Sequence, residues 1–344
     1  MSGRPAILVT GGAGYIGSHC CRTLDAAGYQ PVCYDNLSTG HRSFVTGALV
    51  TGDIADKATL ARTFAQHDIT AVMHFAASSL VGESVVDPQK YYLNNLAGTL
   101  ALLDAMRAAG CNRLVFSSTG AVYGNADSQA LPENYPCAPI NPYGASKWMI
   151  ERVLADYRAA YGLGSFALRY FNASGADPKG GIGELRDVET HLIPRAMMAM
   201  QGHVPDFAVF GDDYATPDGT AIRDYIHVTD LAAAHVLALK LLSQGHSGGA
   251  FNLGTGKGFS VREILGAIQA ETGREVPHVV KPRRAGDPTY LVADPSAARA
   301  TLNFKPAHSD LATIIRAAWA WHKKAHPPKT GEPVHDAASL PPAA

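Results

Sequence analysis

Cysteine is scarce in this chain of 344 residues: Cys20, Cys21, Cys33, Cys111 and Cys137 are the full set. The number is odd and no two have CxxC spacing, which excludes a disulfide framework and a structural zinc site and fits a reducing compartment. Fourteen histidines are scattered without HExxH-type spacing, so no metal is expected. Charged residues are few (17%) and balanced to a net charge of -1, so no global field draws the chain to nucleic acid or to an anionic membrane. An anionic ligand must instead be held by local charges and backbone amides. No uncharged apolar run reaches the ~18 residues of a membrane span, and no signal-peptide pattern precedes the first strand, so a cytoplasmic protein is expected. No internal repeat of ~20–50 residues is visible.

What is present begins with Ala6-Ile7-Leu8-Val9-Thr10, a continuous β-rich apolar run of the kind buried on both sheet faces. It leads into Gly11-Gly12-Ala13-Gly14-Tyr15-Ile16-Gly17 and then a helical pattern. Strand, glycine turn and helix together are the context that gives such a motif meaning. Gly11 permits the tight turn, Gly14 lets a pyrophosphate approach the backbone, and Gly17 lets the helix pack close to the strand. The helix N-terminus offers free N–H groups and a positive dipole end to the phosphates. A second strand ends at Asp35, placed to accept adenine-ribose hydroxyls and to repel a 2′-phosphate, which favours NAD over NADP. Asp35, Asn36, Leu37, Ser38, Thr39 and Gly40 form the loop around that ribose.

Further strands follow at βα spacing. One ends at Asp53, a candidate to cap the adenine. The next ends in small residues, Ala76 and Ala77, that leave room for a flat cofactor; His74 within it reads as a satisfied core histidine. A long helix is expected over residues 89–109, where Asn94 either bonds the cofactor or makes a structural bond to a neighbouring loop. Ser117, Ser118 and Thr119 put hydroxyls at the C-terminal end of a strand, the end at which ligands sit in open α/β sheets. The expected fold class is α/β: a Rossmann-like doubly wound parallel sheet with a smaller C-terminal α/β substrate domain. Residues 1–172 form the NAD-binding part, 173–325 the substrate part with some segments returning to the main sheet, and 326–344 a flexible tail.

Tyr143 and Lys147 lie four residues apart, about one helical turn. Free tyrosine has a pKa near ~10, and one neighbouring cation lowers an acid by ~1–3 units. Working as a base near pH 7 takes ~3 units, roughly 4 kcal/mol, so the pair calls for a second positive charge such as a nicotinamide ring.

These residues resemble the extended short-chain dehydrogenase/reductase superfamily and, within it, the UDP-galactose/UDP-glucose 4-epimerase family. The likeness runs to about residue 325. The glycine turn, Asp35-Asn36-Leu37 and Tyr143-Gly144-Ala145-Ser146-Lys147 carry the superfamily. His74-Phe75-Ala76-Ala77, Leu168-Arg169-Tyr170-Phe171-Asn172, Phe210-Gly211-Asp212-Asp213-Tyr214, Arg223-Asp224-Tyr225-Ile226-His227-Val228 and Arg283-Arg284-Ala285-Gly286-Asp287 are more specific.

The resemblance implies an isomerase that inverts C4 of a UDP-hexose reversibly, through a 4-keto intermediate and a retained NAD. It implies Tyr143 as the base, Lys147 as the residue that holds the nicotinamide ribose and lowers the tyrosine pKa, and Thr119 as a hydrogen-bonding partner of the 4-hydroxyl. NAD would be lined also by Tyr15, Ile16, Ile54, Phe75, Ser79 and Phe171, beside the glycines, Asp35 to Gly40, Asp53, Ala76, Ala77 and Asn94 named above. The UDP-sugar would meet Asn172, Leu192, Phe210, Arg223, Arg284 and Asp287, with Leu291 at the far end of the sugar pocket. Two arginines suit a diphosphate; the alternative is a pair of surface salt bridges. Family relatives pair through two long helices, here residues 89–109 and 142–161, so a homodimer is implied. The chain departs from the family at Ser79, where some members carry lysine, and at Thr119, where others carry serine. Leu291 is intermediate between the small residue that admits N-acetylated sugars and the aromatic that excludes them.

Two other readings are weighed. Nucleotide-sugar dehydratases and decarboxylases on this scaffold place an acidic residue just after the Thr119 position, and Gly120-Ala121 stands there instead. A non-enzymatic NAD-sensing regulator could dispense with the tyrosine or lysine, yet Thr119, Tyr143 and Lys147 are all present.

Overall fold

A computed structural model describes residues 3–126, 130–284 and 287–327. The expected flexible tail therefore lies outside the described residues, apart from its first two positions. In the first half the elements run β1 (Ala6–Thr10), α1 (Tyr15–Ala26), β2 (Gln30–Asp35), β3 (Ala48–Thr51), α2 (Lys57–His67), β4 (Ile69–His74), α3 (Val81–Val86), α4 (Pro88–Tyr91), α5 (Gly98–Ala108), β5 (Arg113–Thr119), α6 (Pro142–Tyr161) and β6 (Gly164–Tyr170). Then come β7 (Asn172–Ser174), α7 (Leu192–Met200), β8 (Ala208–Phe210), β9 (Ile222–His227), α8 (Val228–Ser243) and β10 (Gly248–Leu253). β11 (Gly258–Ser260), α9 (Val261–Thr272), β12 (Val279–Lys281), β13 (Tyr290–Leu291), α10 (Ser296–Leu302) and α11 (Leu311–Ala325) complete the chain.

Seven parallel strands form the main sheet in the order β10-β6-β5-β4-β1-β2-β3. The order reverses between β1 and β4, and a crevice opens at the C-terminal ends of the strands at such a switch point. Both sheet faces are covered, as the continuous apolar strands require. Along β1 the side chains alternate: Ile7 and Val9 join the apolar cluster that includes α1, α8 and α10, while Ala6 and Leu8 join the one that includes α2, α5 and α6. α8 and β10 thus belong to the main sheet layer although they follow the first strands of the second part.

That second part is built around β9, which pairs with β7, β11 and β13, and a small β8–β12 pair. Its core joins α7, α9 and α11. Helix boundaries follow local chemistry. Asn141 caps α6 through Gly144 N–H with Pro142 at the first helical position, and Gly162 ends that helix at φ 69°. Ser260 and Glu263 form a capping box on α9.

The helix expected over residues 89–109 is helical but not uniform. Tyr92–Ala97 makes one π-helical turn between α4 and α5. Asn95 explains it: its amide takes Ser78 N–H at 2.8 Å and donates to the Ser78 carbonyl and to Ser146 Oγ, tying the loop after β4 to α6. Single π turns concentrate at functional sites.

Candidate active site

The glycine turn has the geometry its spacing predicts. Gly11 adopts φ 69°, and a Cβ at Gly17 would lie 2.1 Å from the Gly11 carbonyl oxygen. A Cβ at Gly14 would meet only that carbonyl at 3.3 Å, and no side chain caps α1, so its first N–H groups stay open to a ligand. Asp35 is buried at the end of β2 and accepts Ala13 N–H at 2.9 Å and Leu37 N–H at 2.8 Å. A carboxylate oxygen has two acceptor positions, so each Asp35 oxygen retains one for a ribose hydroxyl. Leu37 holds a left-handed φ of 59°, and Ser38 N–H closes onto Asn36 Oδ1 at 3.0 Å, which shapes the loop through Gly40. Asn36 also donates to Asp53, whose other oxygen takes Ala55 N–H. An uncapped helix end beside an open glycine, with a carboxylate at the end of the next strand, fits an NAD diphosphate and adenine ribose.

Several neighbours act through packing. Ile54 lies against Gly98, Phe75 packs on His235 at 4.9 Å, and the Tyr15 hydroxyl donates to the Gly175 carbonyl. Ser79 is exposed. Asn94 donates to Asn95 Oδ1, within the same π turn and not to a neighbouring loop. His74 is the core histidine it was read as: Thr10 and Thr99 hydroxyls occupy its two ring nitrogens at 2.6 and 2.8 Å.

The reacting end is the C-terminal tip of β5 against the first turns of α6. The Tyr143 side chain lies beside Thr119, whose hydroxyl accepts Ala121 N–H at 3.1 Å. Lys147 is 3% exposed, donates to the Ser117 carbonyl at 2.9 Å and lies 4.8 Å over the Phe116 ring. Burial raises the Tyr143 phenol above its ordinary value; the neighbouring Thr119 hydroxyl and the charge of Arg186 act the other way. Burial pulls Lys147 down to about 7, opposed by Glu151. The protein's own charges thus leave the phenol protonated at neutral pH, as the need for a second cation anticipated.

Arg186 belongs to the segment between β7 and α7. It donates to Glu184 at 2.9 Å, Glu184 also takes His191 Nδ1 at 2.7 Å, and the segment is tied down by Trp321 and His41, which donate to or contact the Glu184 and Leu185 carbonyls. Glu184, Glu189 and His191 lie close enough together to hold a metal, but the Arg186 guanidinium already supplies positive charge there. The dense run of ionisable residues from Glu184 to His191, just before Leu192 opens α7, was the available signal.

At the substrate end, Arg223 forms an ion pair with Asp287, and Asn172 donates to the Asp224 carbonyl at 2.9 Å. The adjoining arginines differ. Arg283 pairs with Asp213 and stacks on Tyr214, whereas Arg284 stacks on Phe210 at 3.8 Å and has no ion pair among the described residues. Of the two arginines for which a surface salt bridge is the alternative, Arg223 forms an ion pair, with Asp287, and Arg284 forms none among the described residues. Leu291 and Phe171 pack in the apolar cluster that includes Tyr123. Residues missed from sequence are Asn95, Arg186, Glu151 and Arg169; an arginine inside an apolar strand was a signal that a buried acid must face it.

Residues 7–254 match the model of the NAD dependent epimerase/dehydratase family. The UDP-glucose 4-epimerase of Rhizobium meliloti (strain 1021) is 53% identical over 92% of this chain and 97% of that relative. The crystal structure of UDP-glucose 4-epimerase from Brucella ovis in complex with NAD superposes with a TM-score of 0.90 at 55% identity, covering 92% of this chain and 97% of that one. The Bifidobacterium longum UDP-glucose 4-epimerase in complex with NAD+ and UDP gives a TM-score of 0.87 at 36% identity, covering 93% and 98%. No helix among the described residues is long and apolar enough to cross a membrane.

Proposed function

The chain belongs to the NAD dependent epimerase/dehydratase family, and on that premise we propose how its residues carry out the reversible, NAD-dependent C4 epimerisation of UDP-galactose and UDP-glucose. When bound, NAD+ supplies a transient hydride acceptor for sugar C4 and a positive ring charge. Tyr143 as phenolate would take the 4-hydroxyl proton as C4 gives up hydride to that acceptor, leaving a 4-keto sugar; once the sugar turns over and the hydride returns to its other face, Tyr143 would give the proton back. Thr119 aligns the phenol and the sugar hydroxyl. Lys147 holds the nicotinamide ribose and contributes positive charge beside Tyr143. The open end of α1 takes the NAD diphosphate and Asp35 the adenine ribose. Arg284, stacked on Phe210, and Arg223 take the UDP diphosphate, and Asp287 takes uridine ribose hydroxyls. Residues 1–172 hold the cofactor and 173–325 the UDP-sugar.

The single observation that carries the assignment is the tip of β5, where the Ser117 carbonyl holds Lys147 one turn beyond Tyr143, which lies beside Thr119. The test is incubation of purified protein with UDP-galactose and no added NAD, following UDP-glucose by chromatography. Conversion supports the activity and a retained cofactor together. No conversion with or without added NAD would overturn the reading.

A homodimer formed through α5 and α6 is proposed on the apolar side chains they and the π turn leave exposed, Leu93, Leu100, Met149 and Tyr161 among them. Light scattering that gives a monomer at micromolar concentration would remove it. Five free cysteines, four of them buried, support a reducing cytoplasmic setting.

A further inference from the structure

Three consecutive residues at the end of β5 each hold a different residue of α6. The Ser117 carbonyl accepts from Lys147 and Thr119 lies beside Tyr143, while the Ser118 hydroxyl donates to the Glu151 carboxylate. The first two contacts belong to the proposed chemistry. The third does not, and Glu151 lies one turn beyond Lys147 on the same helix face.

Glu151 is buried and gripped by Arg169 through two donors, Nη2 to Oε2 at 2.6 Å and Nε to Oε1 at 3.0 Å. Arg169 also donates to the Tyr123 hydroxyl at 2.9 Å and to the Glu133 carbonyl at 3.2 Å. A buried ion pair is weak evidence for stability, because desolvation of both charges offsets their attraction. Its use is better sought in what it does to its neighbour.

That neighbour is Lys147, whose ammonium has the Ser117 carbonyl as its one acceptor among the described residues. A buried ammonium tends to lose its proton unless an anion faces it. From β4 it faces His74, neutral and fully hydrogen-bonded. From β5 it faces the Phe116 ring, and from β6 stand Arg169 and Tyr170, the latter's hydroxyl bonded to Ser117 Oγ. Tyr143 stands one turn before it on α6, with Tyr91 edge-on behind that ring. Among these groups Glu151 is the sole anion.

Resting on the assignment of Lys147 above, we propose that Glu151, clamped by Arg169 and Ser118, is a positioning residue that keeps Lys147 protonated and aimed at the tip of β5. Burial depresses Lys147, and Glu151 is the group that holds it up. Arg169 and Ser118 together fix the carboxylate one helical turn from the lysine. The residue touches neither substrate nor cofactor in this scheme and acts through Lys147.

The test is the pH dependence of kcat in the NAD-loaded enzyme. The alkaline limb reports loss of the Lys147 proton. In Glu151→Gln the limb moves to lower pH by about one unit, which at pH 8.5 is about a tenfold loss relative to the parent. Glu151→Asp, which keeps the charge, restores the limb towards its parental position even if its overall rate is low. If Glu151→Gln leaves Arg169 unpaired and does not fold, the double variant Glu151→Gln/Arg169→Met carries the test, since it removes both buried charges at similar volume; its limb moves in the same direction. Alkaline limbs that coincide with the parent's, whatever the amplitude, would overturn the proposal and leave Glu151 a packing residue. No turnover in the parent itself would instead remove the activity on which it rests.

Discussion

Replacing Lys147 with methionine should stabilise the nucleotide-free protein while removing most of its turnover. Burial holds this lysine at about 7, against 10.5 for a free one. At ~1.4 kcal/mol per unit, that is about 5 kcal/mol against keeping the ammonium in the folded state, of which about 4 is expressed at pH 7. Methionine fills a similar volume and has no charge to desolvate. It also forfeits the bond to the Ser117 carbonyl, and a charged hydrogen bond contributes ~1.5–3 kcal/mol. The net expectation is a gain of about 1–3 kcal/mol at pH 7. The sign with pH follows from proton counting. Between about 7 and 10.5 the unfolded chain carries the lysine proton and the folded protein has lost it, so the parent gains stability as pH rises. The methionine variant has no such gain, and its advantage shrinks by about 2 kcal/mol between pH 7 and pH 9. Urea unfolding midpoints of parent and variant at the two pH values measure both quantities, and turnover of the NAD-loaded forms measures the cost to function. A variant less stable than the parent at pH 7, or an advantage that does not shrink by pH 9, refutes the reasoning.

Tyr143→Phe should keep its bound nucleotide, seen by absorbance at 260 nm after release, and lose ~10²–10⁴-fold in kcat, the usual worth of a positioned acid–base group; activity within tenfold of the parent removes the tyrosine from its role. Arg284→Ala should raise KM for the UDP-sugar by about tenfold or more, because its guanidinium has no competing ion pair among the described residues. Arg283→Ala, which loses an exposed pair with Asp213, should stay within about threefold; equal effects would contradict the division between them. Acid should destabilise the fold early. Burial holds His74 down at about 3, so the folded protein resists a proton that the unfolded chain takes up below 6.5, and stability falls as pH drops through that window. About 2 kcal/mol is lost through His74 alone by pH 5, and a His74→Gln variant whose urea midpoint falls as steeply between pH 7 and pH 5 as the parent's would contradict this.

The first half of the site was legible because its determinants are local. A glycine turn, a helix start and an acidic strand end lie within the first 35 residues, and each has a backbone reason visible in sequence, as the φ of Gly11 and the contact of Gly17 with it illustrate. The alternation of Ile7 and Val9 against Ala6 and Leu8 was likewise hidden in plain apolar composition: both faces are covered, so no polar residue marks the period. The substrate end was less legible, since Arg223 and Asp287 meet across 64 positions and nothing local to either shows the pairing. The charged segment from Glu184 to His191 reads as surface loop until Trp321 and His41, from opposite ends of the chain, are seen to hold it. The π turn at Tyr92–Ala97 has no propensity signal, because it exists to bring Asn95 to Ser78 and Ser146.

The spacing of Tyr143 and Lys147 says little by itself, since any exposed helix face carries such pairs. What gives it chemical content is the strand it is held against. Tyr143, Lys147 and Glu151 repeat every four residues along one face of α6, and their partners are Thr119, Ser117 and Ser118, three successive residues of β5. A strand offers its side chains to alternate faces and its carbonyls along its edge, so three neighbours can present a hydroxyl, a carbonyl and a second hydroxyl in different directions within ~7 Å. One helix therefore docks in a single register, because a shift of one residue would break the Lys147 and Glu151 bonds and carry Tyr143 away from Thr119. Errors of ~1 Å in the placement of a reacting group cost ~10²-fold in rate, so a register lock of this kind matters more to the chemistry than the small net energy of the bonds that form it.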